Sequence, residues 1–441
     1  MKFLLISPAA AQRRVSPGGR PPFATRIFRF SMLSSLYVAA AAPPGVETRI
    51  LDEEVEPVDF DADADLVGLS FMTFNAPRAY EIADGFRLKG KPVVMGGYRP
   101  TFRPQEAIAH ADAVCVGEAE PNLPRIIEDF RSGRLRSFYE GRLADLGSLP
   151  PVDRALVPGG LYLWADTAQA TRGCPQRCTF CSITAFFDHS FRARPAAQVI
   201  DELRALGKRI LFMDDNLTSS REYAKELFTG MIPLKKHWYS QCSVSLADDD
   251  ELLSLAARSG CRGVFVGFES LSQDNLRAWK KTFSRASDYA RAIKRFHDKG
   301  IAVYAGIVFG DDGDTAKVFG HTLAFLLDSR VDALQATILT PFPGTPLFDT
   351  MEREGRIVDR DWSHYDFCHV VFEPREMSRA ALRAGHDWVL SRFYSVPAVL
   401  SRLASELTSL PFSTLLLGTL PLNYGYRHRL RTDGSWTATR I

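Results

Sequence analysis

The 441-residue chain lacks a marked excess of charge of either sign, because 54 lysines and arginines stand against 52 aspartates and glutamates. A net charge of +2 gives no general signal for binding nucleic acid or another polyanion. Hydrophobic residues make up 46% and charged residues 24%, which is ordinary for a globular protein. This composition excludes a disordered or collagen-like chain.

Long apolar runs are also lacking. The best candidate, residues 410–422, is short and is broken by Pro411, Gly418 and Pro421, whereas a membrane-spanning helix needs about 18–20 apolar residues. The apolar run 3–6 is too brief for the core of a secretory signal. We therefore expect a cytoplasmic protein without a transmembrane segment. The 411–422 stretch either packs against its own domain or docks on a membrane or a lipid substrate.

Cysteines are few and unevenly placed. Four of the seven are scattered through mostly apolar runs, where cysteine behaves as a small buried hydrophobe: Cys115, Cys242, Cys261 and Cys368. The other three lie within eight residues, which is not a disulfide framework. Near the end of the chain, His364, Cys368 and His369 indicate either a second metal site or an ordinary loop.

Two α/β series follow one another along the chain. In the first, helical stretches such as 76–89 alternate with short apolar runs. The predicted strands of this series are 2–7, 66–71, 92–97 and 113–117. The pattern is typical of a parallel sheet covered on both faces, so we expect a Rossmann-like domain over residues 1–144. Residues 145–165 are predicted to be a linker. The insert 13–30, rich in arginine, proline and glycine, is expected to lie over the mouth of this domain.

The second series predicts a barrel. Its predicted strands are 169–172, 209–214, 238–244, 263–268, 301–309 and 334–339. Its predicted helices are 196–206, 222–229, 249–258, 288–297 and 315–327. Six β/α units are two short of a full (β/α)8 barrel. We therefore expect a partial (β/α)6 TIM barrel over 166–375, followed by a small helical region over 376–441 with helices at 379–394 and 396–407.

The sharpest motif is RGCPQRCTFC at 172–181, directly after the first predicted barrel strand. It places three thiols in a C-x3-C-x2-C pattern: Cys174, Cys178 and Cys181. Zinc prefers four ligands and would need a fourth from elsewhere. Three thiolates on a tight loop suit a 4Fe–4S cube in which one iron is left open.

The chain resembles the radical S-adenosylmethionine (SAM) enzymes, and among them the subfamily with an N-terminal cobalamin-binding domain. An aromatic residue before the last cysteine, here Phe180, completes the superfamily signature. The other similar motifs are VGLSFMT at 67–73, APRAY at 76–80, GGYRPT at 96–101, VGEAE at 116–120, MDDN at 213–216, GFES at 267–270 and PFPGTP at 341–346. The similarity covers roughly residues 1–400.

The resemblance implies a reaction. The three cysteines would bind three irons of the cluster, and the fourth iron would bind the amino and carboxylate groups of SAM. An electron, supplied by a donor such as flavodoxin or ferredoxin, would cleave SAM and give a radical that abstracts hydrogen from unactivated carbon. A barrel mouth suits this chemistry, because radicals must be kept from water.

The resemblance also implies which other residues bind the cofactors. The SAM-binding candidates are Phe180, Asp214, Asp215, Asn216, Gln241, Ser243, Glu269 and Ile307. The candidates around a corrin are Met72, Thr73, Gly97, Tyr98, Arg99 and Glu118. Some have structural alternatives: Asn216 or Ser219 could start the following helix, Glu269 could lie in a solvated turn, and Ile307 could simply be part of a buried strand.

The first domain departs from the family pattern. The cobalt-ligating motif D-x-H-x-x-G is not present, and Arg99 stands where related members often have histidine. The resemblance therefore implies a cobalamin-type domain without a histidine ligand from either motif. Such a domain either binds the corrin without protein ligation or no longer binds it.

We expect a radical SAM transferase that alkylates, most often methylates, an unactivated centre of a small molecule or lipid in a biosynthetic pathway. The alternative, motivated by Arg99, is a corrin-independent enzyme. Such an enzyme would transfer a 3-amino-3-carboxypropyl group or perform another radical rearrangement or cyclisation. A non-catalytic cluster or zinc protein is the third hypothesis.

Overall fold

The N-terminal part is a six-stranded, all-parallel sheet covered by helices. The computed structural model describes residues 1–10, 13–15, 28–141, 143–157, 160, 162–164 and 166–432. The strands of this sheet are β1 (Lys2–Ser7), β2 (Glu47–Asp52), β3 (Leu66–Ser70), β4 (Val93–Gly96), β5 (Ala113–Val116) and β6 (Phe138–Glu140). Their order is β2-β1-β3-β4-β5-β6, so the strand order reverses beside β1. Ligands of open parallel sheets bind at the carboxyl ends of the strands near such a reversal.

Helices cover this sheet on both faces, and each face has its own buried apolar cluster. They are α1 (Leu33–Ala40), α2 (Ala76–Leu88), α3 (Tyr98–Phe102), α4 (Pro104–Ala107) and α5 (Leu123–Arg131). The Rossmann-like fold is confirmed, and the four predicted strands are correct to within one residue. Strands β2 and β6, which pair at the two edges of the sheet, were not predicted.

The second part is a six-stranded, all-parallel sheet in the order β14-β13-β12-β11-β10-β7. Its strands are β7 (Thr167–Ala168), β10 (Arg209–Phe212), β11 (His237–Gln241), β12 (Cys261–Glu269), β13 (Ala302–Phe309) and β14 (Ala333–Ile338). The partial barrel is confirmed, but the first predicted strand is misplaced. β8 (Thr171–Arg172) instead pairs antiparallel with β9 (Arg192–Ala193) and forms a separate ribbon beside the barrel.

Helices follow the barrel strands, and several have a side-chain cap. They are α6 (Ser182–Phe186), α7 (Ala196–Ala205), α8 (Arg221–Met231), α9 (Asp250–Ser259), α10 (Gln273–Ala278), α11 (Tyr289–Asp298), α12 (Lys317–Asp328) and α13 (Pro346–Arg353). Ser220, not Asn216 or Ser219, caps α8 by accepting from the Tyr223 amide. Predicted strand 238–244 is too long at its end, because Ser243 caps a 3-10 helix at Val244–Asp248.

Three C-terminal helices complete the barrel: the first packs alongside β14, and the last meets the amino-terminal ends of the strands. They are α14 (Arg379–Phe393), α15 (Val396–Ser409) and α16 (residues 412–432), in which Leu415–Thr419 is wound as a π helix. Tyr426 is fully buried and its hydroxyl meets that of Tyr304, early in β13. Tyr394 accepts from the Leu334 amide at 2.9 Å. Within the described ranges, no helix is both long and apolar enough to cross a membrane.

Candidate functional site

The cysteine loop lies between β8 and α6, beside the carboxyl ends of the barrel strands. It begins at Gly173, whose φ is +82°, and a Cβ there would lie 2.2 Å from the Ser190 carbonyl oxygen. Only glycine fits this conformation and this close approach. The loop ends where the Cys181 amide donates to the Cys178 carbonyl at 3.2 Å.

Two later segments of the barrel hold the loop by its backbone. The Thr179 amide donates to the Trp279 carbonyl at 3.1 Å, and the Leu347 amide donates to the Thr179 carbonyl at 3.0 Å. The ring of Phe180 meets that of Trp279 edge-on, with 5.3 Å between centroids. Phe180 therefore packs against the segment that follows β12, and Trp279 is a site residue that the sequence analysis missed.

The three thiols are free and interact electrostatically with one another. Burial raises the pKa of Cys178 to about 12 and that of Cys181 to about 11. Thiolates at such positions need a strong positive charge beside them, which the irons of a cluster would supply. Three thiols on one loop fit a 4Fe–4S cluster, whose fourth iron needs no protein thiolate.

Glu269 ends β12 with a φ of +64° and pairs with a buried lysine. Its Oε1 lies 3.0 Å from the Nζ of Lys281. Burial lowers the pKa of Lys281, but the charges of Glu269 and Cys178 outweigh burial and raise it overall. A fixed cation thus lies beside the cysteine loop. The sequence gives no sign of this, since Lys280-Lys281 looks like an ordinary exposed pair.

Asp214 and Asp215 hold the backbone that leads into the cysteine loop. Asp214 accepts from the Ala170 amide at 3.1 Å and from the Thr171 hydroxyl at 2.6 Å. Asp215 accepts from the Gly173 amide at 2.7 Å. Burial raises the pKa of Asp214 to about 7 and that of Asp215 to about 6.

Three further SAM-binding candidates, Asn216, Gln241 and Ser243, lie together near the carboxyl ends of the barrel strands, on one side of the barrel mouth. The side-chain oxygen of Asn216 accepts from the Ser243 amide at 3.1 Å. The Leu217 amide donates to the Gln241 carbonyl at 3.1 Å. Ile307 is buried in the middle of β13, opposite Glu269 in the strand register.

The N-terminal sheet reaches the cysteine loop through α3, which follows β4. The ring of Tyr98 lies 4.6 Å from that of Phe186, at the end of the helix that follows Cys181. Burial raises the pKa of Tyr98 well above its usual value, and the neighbouring charges of Asp215 and Cys181 raise it further. Tyr98, a corrin candidate, therefore lies between the two sheets and next to the thiols.

The turn before α3 depends on a close backbone approach. Gly97 has a φ of +98°, and a Cβ there would lie 2.8 Å from the Phe71 carbonyl oxygen. Thr73 is buried in the short 3-10 turn Thr73–Asn75, and Met72 is half-buried just before it. These residues follow the carboxyl ends of β3 and β4, where a ligand of the sheet would lie.

Two other corrin candidates are occupied by protein partners. Arg99 is 0% exposed; its guanidinium lies 3.7 Å from the Trp362 ring centroid and pairs with Glu106. Glu118 is buried and accepts from Arg172 and from Arg192, each at 2.7 Å. The first domain fits a corrin through its fold and through Tyr98, whereas Arg99 and Glu118 join the two halves of the chain.

Cys368 is fully buried. His364 and His369 are held by Asp359 at 2.7 Å and Asp366 at 3.0 Å. In the part of the chain that the structure describes, no three His, Cys, Asp or Glu side chains are grouped to hold a single metal ion. Each of the two histidines is thus held by a carboxylate of its own segment. Cys115, Cys242 and Cys261 are buried as predicted.

The ends of the predicted insert are tied to one carboxylate. Arg13 and Arg29 lie 3.5 Å and 3.6 Å from the carboxylate oxygens of Glu54. Residues 16–27, the middle of the insert, lie outside the described residues.

Comparisons with known proteins agree with this architecture. The radical SAM superfamily model matches residues 169–326, and the B12 binding domain model matches residues 23–127. The bacteriochlorophyllide d C-12(1)-methyltransferase of Chlorobaculum tepidum is 31% identical over 92% of this chain and 90% of its own length. The hopanoid C-2 methylase of Rhodopseudomonas palustris is 27% identical over 75% of this chain and 66% of its own.

A solved structure shows the same fold. It is that of TsrM, a radical SAM methyltransferase from Kitasatospora setae, with cobalamin and a 4Fe–4S cluster bound. The TM-score is 0.62 at 18% identity, over 80% of this chain and 75% of that one.

Proposed function

Since the chain belongs to the radical SAM family and carries an N-terminal B12-binding domain, we propose that it is a cobalamin-dependent methyltransferase that acts on a tetrapyrrole side chain. Its general activity is alkylation in biosynthesis by a radical SAM enzyme with a 4Fe–4S cluster. When bound, the cluster supplies the electron that cleaves SAM, and cobalamin supplies a carrier for the methyl group.

One observation carries the use of both cofactors, namely the contact between α3 and α6. The first helix follows β4 of the B12-binding domain, and the second follows directly on Cys181. The 4.6 Å contact between Tyr98 and Phe186 holds the carboxyl edge of one sheet against the cysteine loop. Methyl transfer between two cofactors needs them in one enclosed space, because reaction requires close approach and exclusion of water.

Each group of residues has a proposed role. Cys174, Cys178 and Cys181 bind iron. Asp214 and Asp215 orient the loop through the bonds described above, and their carboxylates are proposed to accept from the amino group of SAM. The polar groups of SAM are bound by the residues that end the barrel strands. These are Asn216, Gln241, Ser243 and the Glu269–Lys281 pair, with Phe180 and Ile307 supplying apolar contacts.

The corrin is proposed to bind without a histidine ligand to cobalt. It would lie over the turn that contains Met72, Thr73 and Gly97 and against Tyr98. The same turn positions α3, since the Arg99 amide donates to the Phe71 carbonyl at 3.4 Å.

The tetrapyrrole substrate is supported by the extent of similarity. The bacteriochlorophyllide relative aligns over 92% of this chain and 90% of its own length, whereas the hopanoid relative aligns over 75% and 66%. The more complete alignment with the enzyme that acts on a tetrapyrrole supports this substrate class. Free thiols and a low-potential cluster further suggest the cytoplasm, with flavodoxin or ferredoxin as electron donor.

The test is anaerobic reconstitution with iron, sulfide and hydroxocobalamin, followed by SAM, a reductant and bacteriochlorophyllide d. The expected result is retained corrin and a substrate that gains one methyl group in place of hydrogen. S-adenosylhomocysteine comes from the SAM that donates the methyl group, and 5′-deoxyadenosine from the SAM that removes the hydrogen. Cys178→Ala should abolish both products, while the buried, distant Cys261→Ala should retain them.

Two results would contradict the proposal. Methylthioadenosine as coproduct, with no corrin retained, would favour the 3-amino-3-carboxypropyl transfer. Methylation of a polycyclic lipid in place of the tetrapyrrole would refute the substrate but not the reaction.

A further inference from the structure

The last two helices form an antiparallel hairpin. The Thr419 hydroxyl donates to Glu406 at 2.6 Å, and Arg402 donates to the Asn423 side chain at 2.6 Å. Residues in the second half of α15 thus contact residues in the first part of α16, as expected for two antiparallel helices. All four side chains are buried, so this polar seam is the inner face of the hairpin.

A line of apolar side chains runs along α15 away from that seam. Val396, Leu400, Leu403 and Leu407 recur at i, i+4, i+7 and i+11, which places them on one face of a helix. Leu400 is 60% exposed and Leu407 is 62% exposed. A helix in a globular protein normally buries such a stripe.

A second line runs along α16 at four-residue spacing: Phe412, Leu416, Leu420 and Tyr424, of which Phe412 is 68% exposed. Successive residues of an α-helix are rotated by 100° about the helix axis. On α16, Leu420 and Tyr424 are therefore rotated about the axis away from the inward-facing Asn423. On α15, Leu400 and Leu407 are rotated in the same sense away from the inward-facing residues of that helix. In antiparallel helices, equal rotation brings both lines to the same side of the hairpin. We call this side the hairpin face.

Exposed apolar side chains are concentrated here. Of the thirteen large hydrophobic side chains that are exposed in the described ranges, seven lie on these two lines, between residues 396 and 424. Scattered exposed leucines need no explanation, but a continuous apolar face marks an interaction surface.

The charge on the hairpin selects the partner. Between residues 396 and 432 the only acidic residue is Glu406, which is buried. Arg431 at the end of α16 and Arg392 at the end of α14 are exposed. A second copy of the hairpin would bring no exposed acidic partner for these arginines, because its only carboxylate between residues 396 and 432 is buried. An anionic lipid surface instead attracts each nearby arginine.

We propose that the hairpin face is a peripheral docking surface for an anionic lipid bilayer. The apolar lines would enter the boundary between headgroups and acyl chains, as amphipathic helices do, without crossing the membrane. The hairpin lies below the barrel: Asn423 donates to the Asp332 carbonyl just before β14 at 3.0 Å. Docking therefore leaves the mouth, at the other end of the strands, free. This inference does not depend on the substrate.

The test is flotation of the full-length protein with vesicles of phosphatidylcholine alone or mixed with phosphatidylglycerol. The protein should float only with the mixed vesicles, and added salt should weaken binding. Leu400→Ser combined with Leu407→Ser should weaken binding at least tenfold, because each leucine would bury its exposed apolar surface in the lipid. Leu88→Ser is the matched control, since Leu88 is 89% exposed on the first domain and should leave binding unchanged.

Arg431→Glu is an independent variant whose side chain is exposed, so it keeps the test valid if the double variant fails to fold. It should also weaken binding about tenfold or more. The proposal is overturned if the protein floats with neither vesicle or equally with both. It is also overturned if the protein is a dimer in solution that the double leucine variant converts to a monomer.

Discussion

Glu118 links the two halves of the chain, and this contact, which we call the joint, can be tested by mutation. This carboxylate, on the loop after β5, bonds to Arg172, two residues before the first iron ligand, and to Arg192 on the facing strand of the ribbon. Burial alone would raise the pKa of Glu118, but the bond from Arg192 and the charge of Arg172 lower it overall. The carboxylate is therefore ionised at neutral pH and holds the buried Arg172 and the half-buried Arg192.

Glu118→Gln keeps the size of the side chain but removes its charge. Arg172 retains its ion pair with Glu120 at 2.6 Å, whereas Arg192 retains no ion pair in the described part of the chain and keeps the Ala144 carbonyl at 2.7 Å and the Phe187 ring. Breaking a buried pair by removing one partner costs about 3–5 kcal/mol. We therefore expect the equilibrium constant for local opening of the joint to rise more than a hundredfold.

Hydrogen exchange measures this opening locally, which suits a chain of two units whose unfolding need not be a single transition. Amides at 143–146 and 170–174 should exchange more than a hundredfold faster in Glu118→Gln. Glu251→Gln is the control, because its pairs with Arg221 and Lys225 are exposed and contribute at most about 1 kcal/mol. A change below tenfold in Glu118→Gln would refute the reasoning.

The same joint has a pH dependence. Because the folded-state pKa of Glu118 is lowered, its contribution is present above the unfolded value of about 4.3. It should be lost as the pH falls through the lower folded value. In Glu118→Gln the exchange rates at these amides should lack this acid-induced rise.

Three further predictions concern the cysteine loop. Cys178→Ala should lose the iron and sulfide of the reconstituted protein, measured by elemental analysis, and Cys261→Ala should keep them. Gly173→Ala should also lower iron loading, because the new Cβ would meet the Ser190 carbonyl at 2.2 Å in a left-handed conformation; full loading would contradict the geometry. Since the pKa of Asp214 is raised to about 7, the folded chain holds that proton more tightly than the unfolded chain, and stability should fall as the pH rises from about 4 to 7. Asp214→Asn should flatten this slope in urea titrations.

Much of the fold can be predicted from the sequence, because buried parallel strands are continuous apolar runs. Strands β1, β10, β12 and β13 contain such a run, whereas β11 is mostly polar. The edge strand β2 lacks this pattern, since four of the six residues of ETRILD are polar and only the last three are buried. The edge strand β6 has three residues, two of them exposed. Edge strands carry too little apolar pattern to be distinguished from loops.

The site divides in the same way. The spacing of the cysteines predicts the loop, because three thiols so close in sequence can bind a single cluster. The partners of Glu118 and Arg99 could not be predicted, since Arg172 is 54 residues from Glu118 and Trp362 is farther still from Arg99. A motif shows that a residue matters to a family, but not whether its side chain faces a ligand or another part of the chain.

The packing of α3 has a consequence for how the protein is made. Phe102 lies against Gly344, where a Cβ would be 2.1 Å from its ring, and Arg103 lies over the ring of Phe348. During synthesis the segment around α3 leaves the ribosome more than two hundred residues before these partners. The first sheet therefore leaves the ribosome before the packing partners of α3 have been synthesised. The carboxyl ends of its strands, where α3 lies, can reach their native packing only after the barrel has been translated.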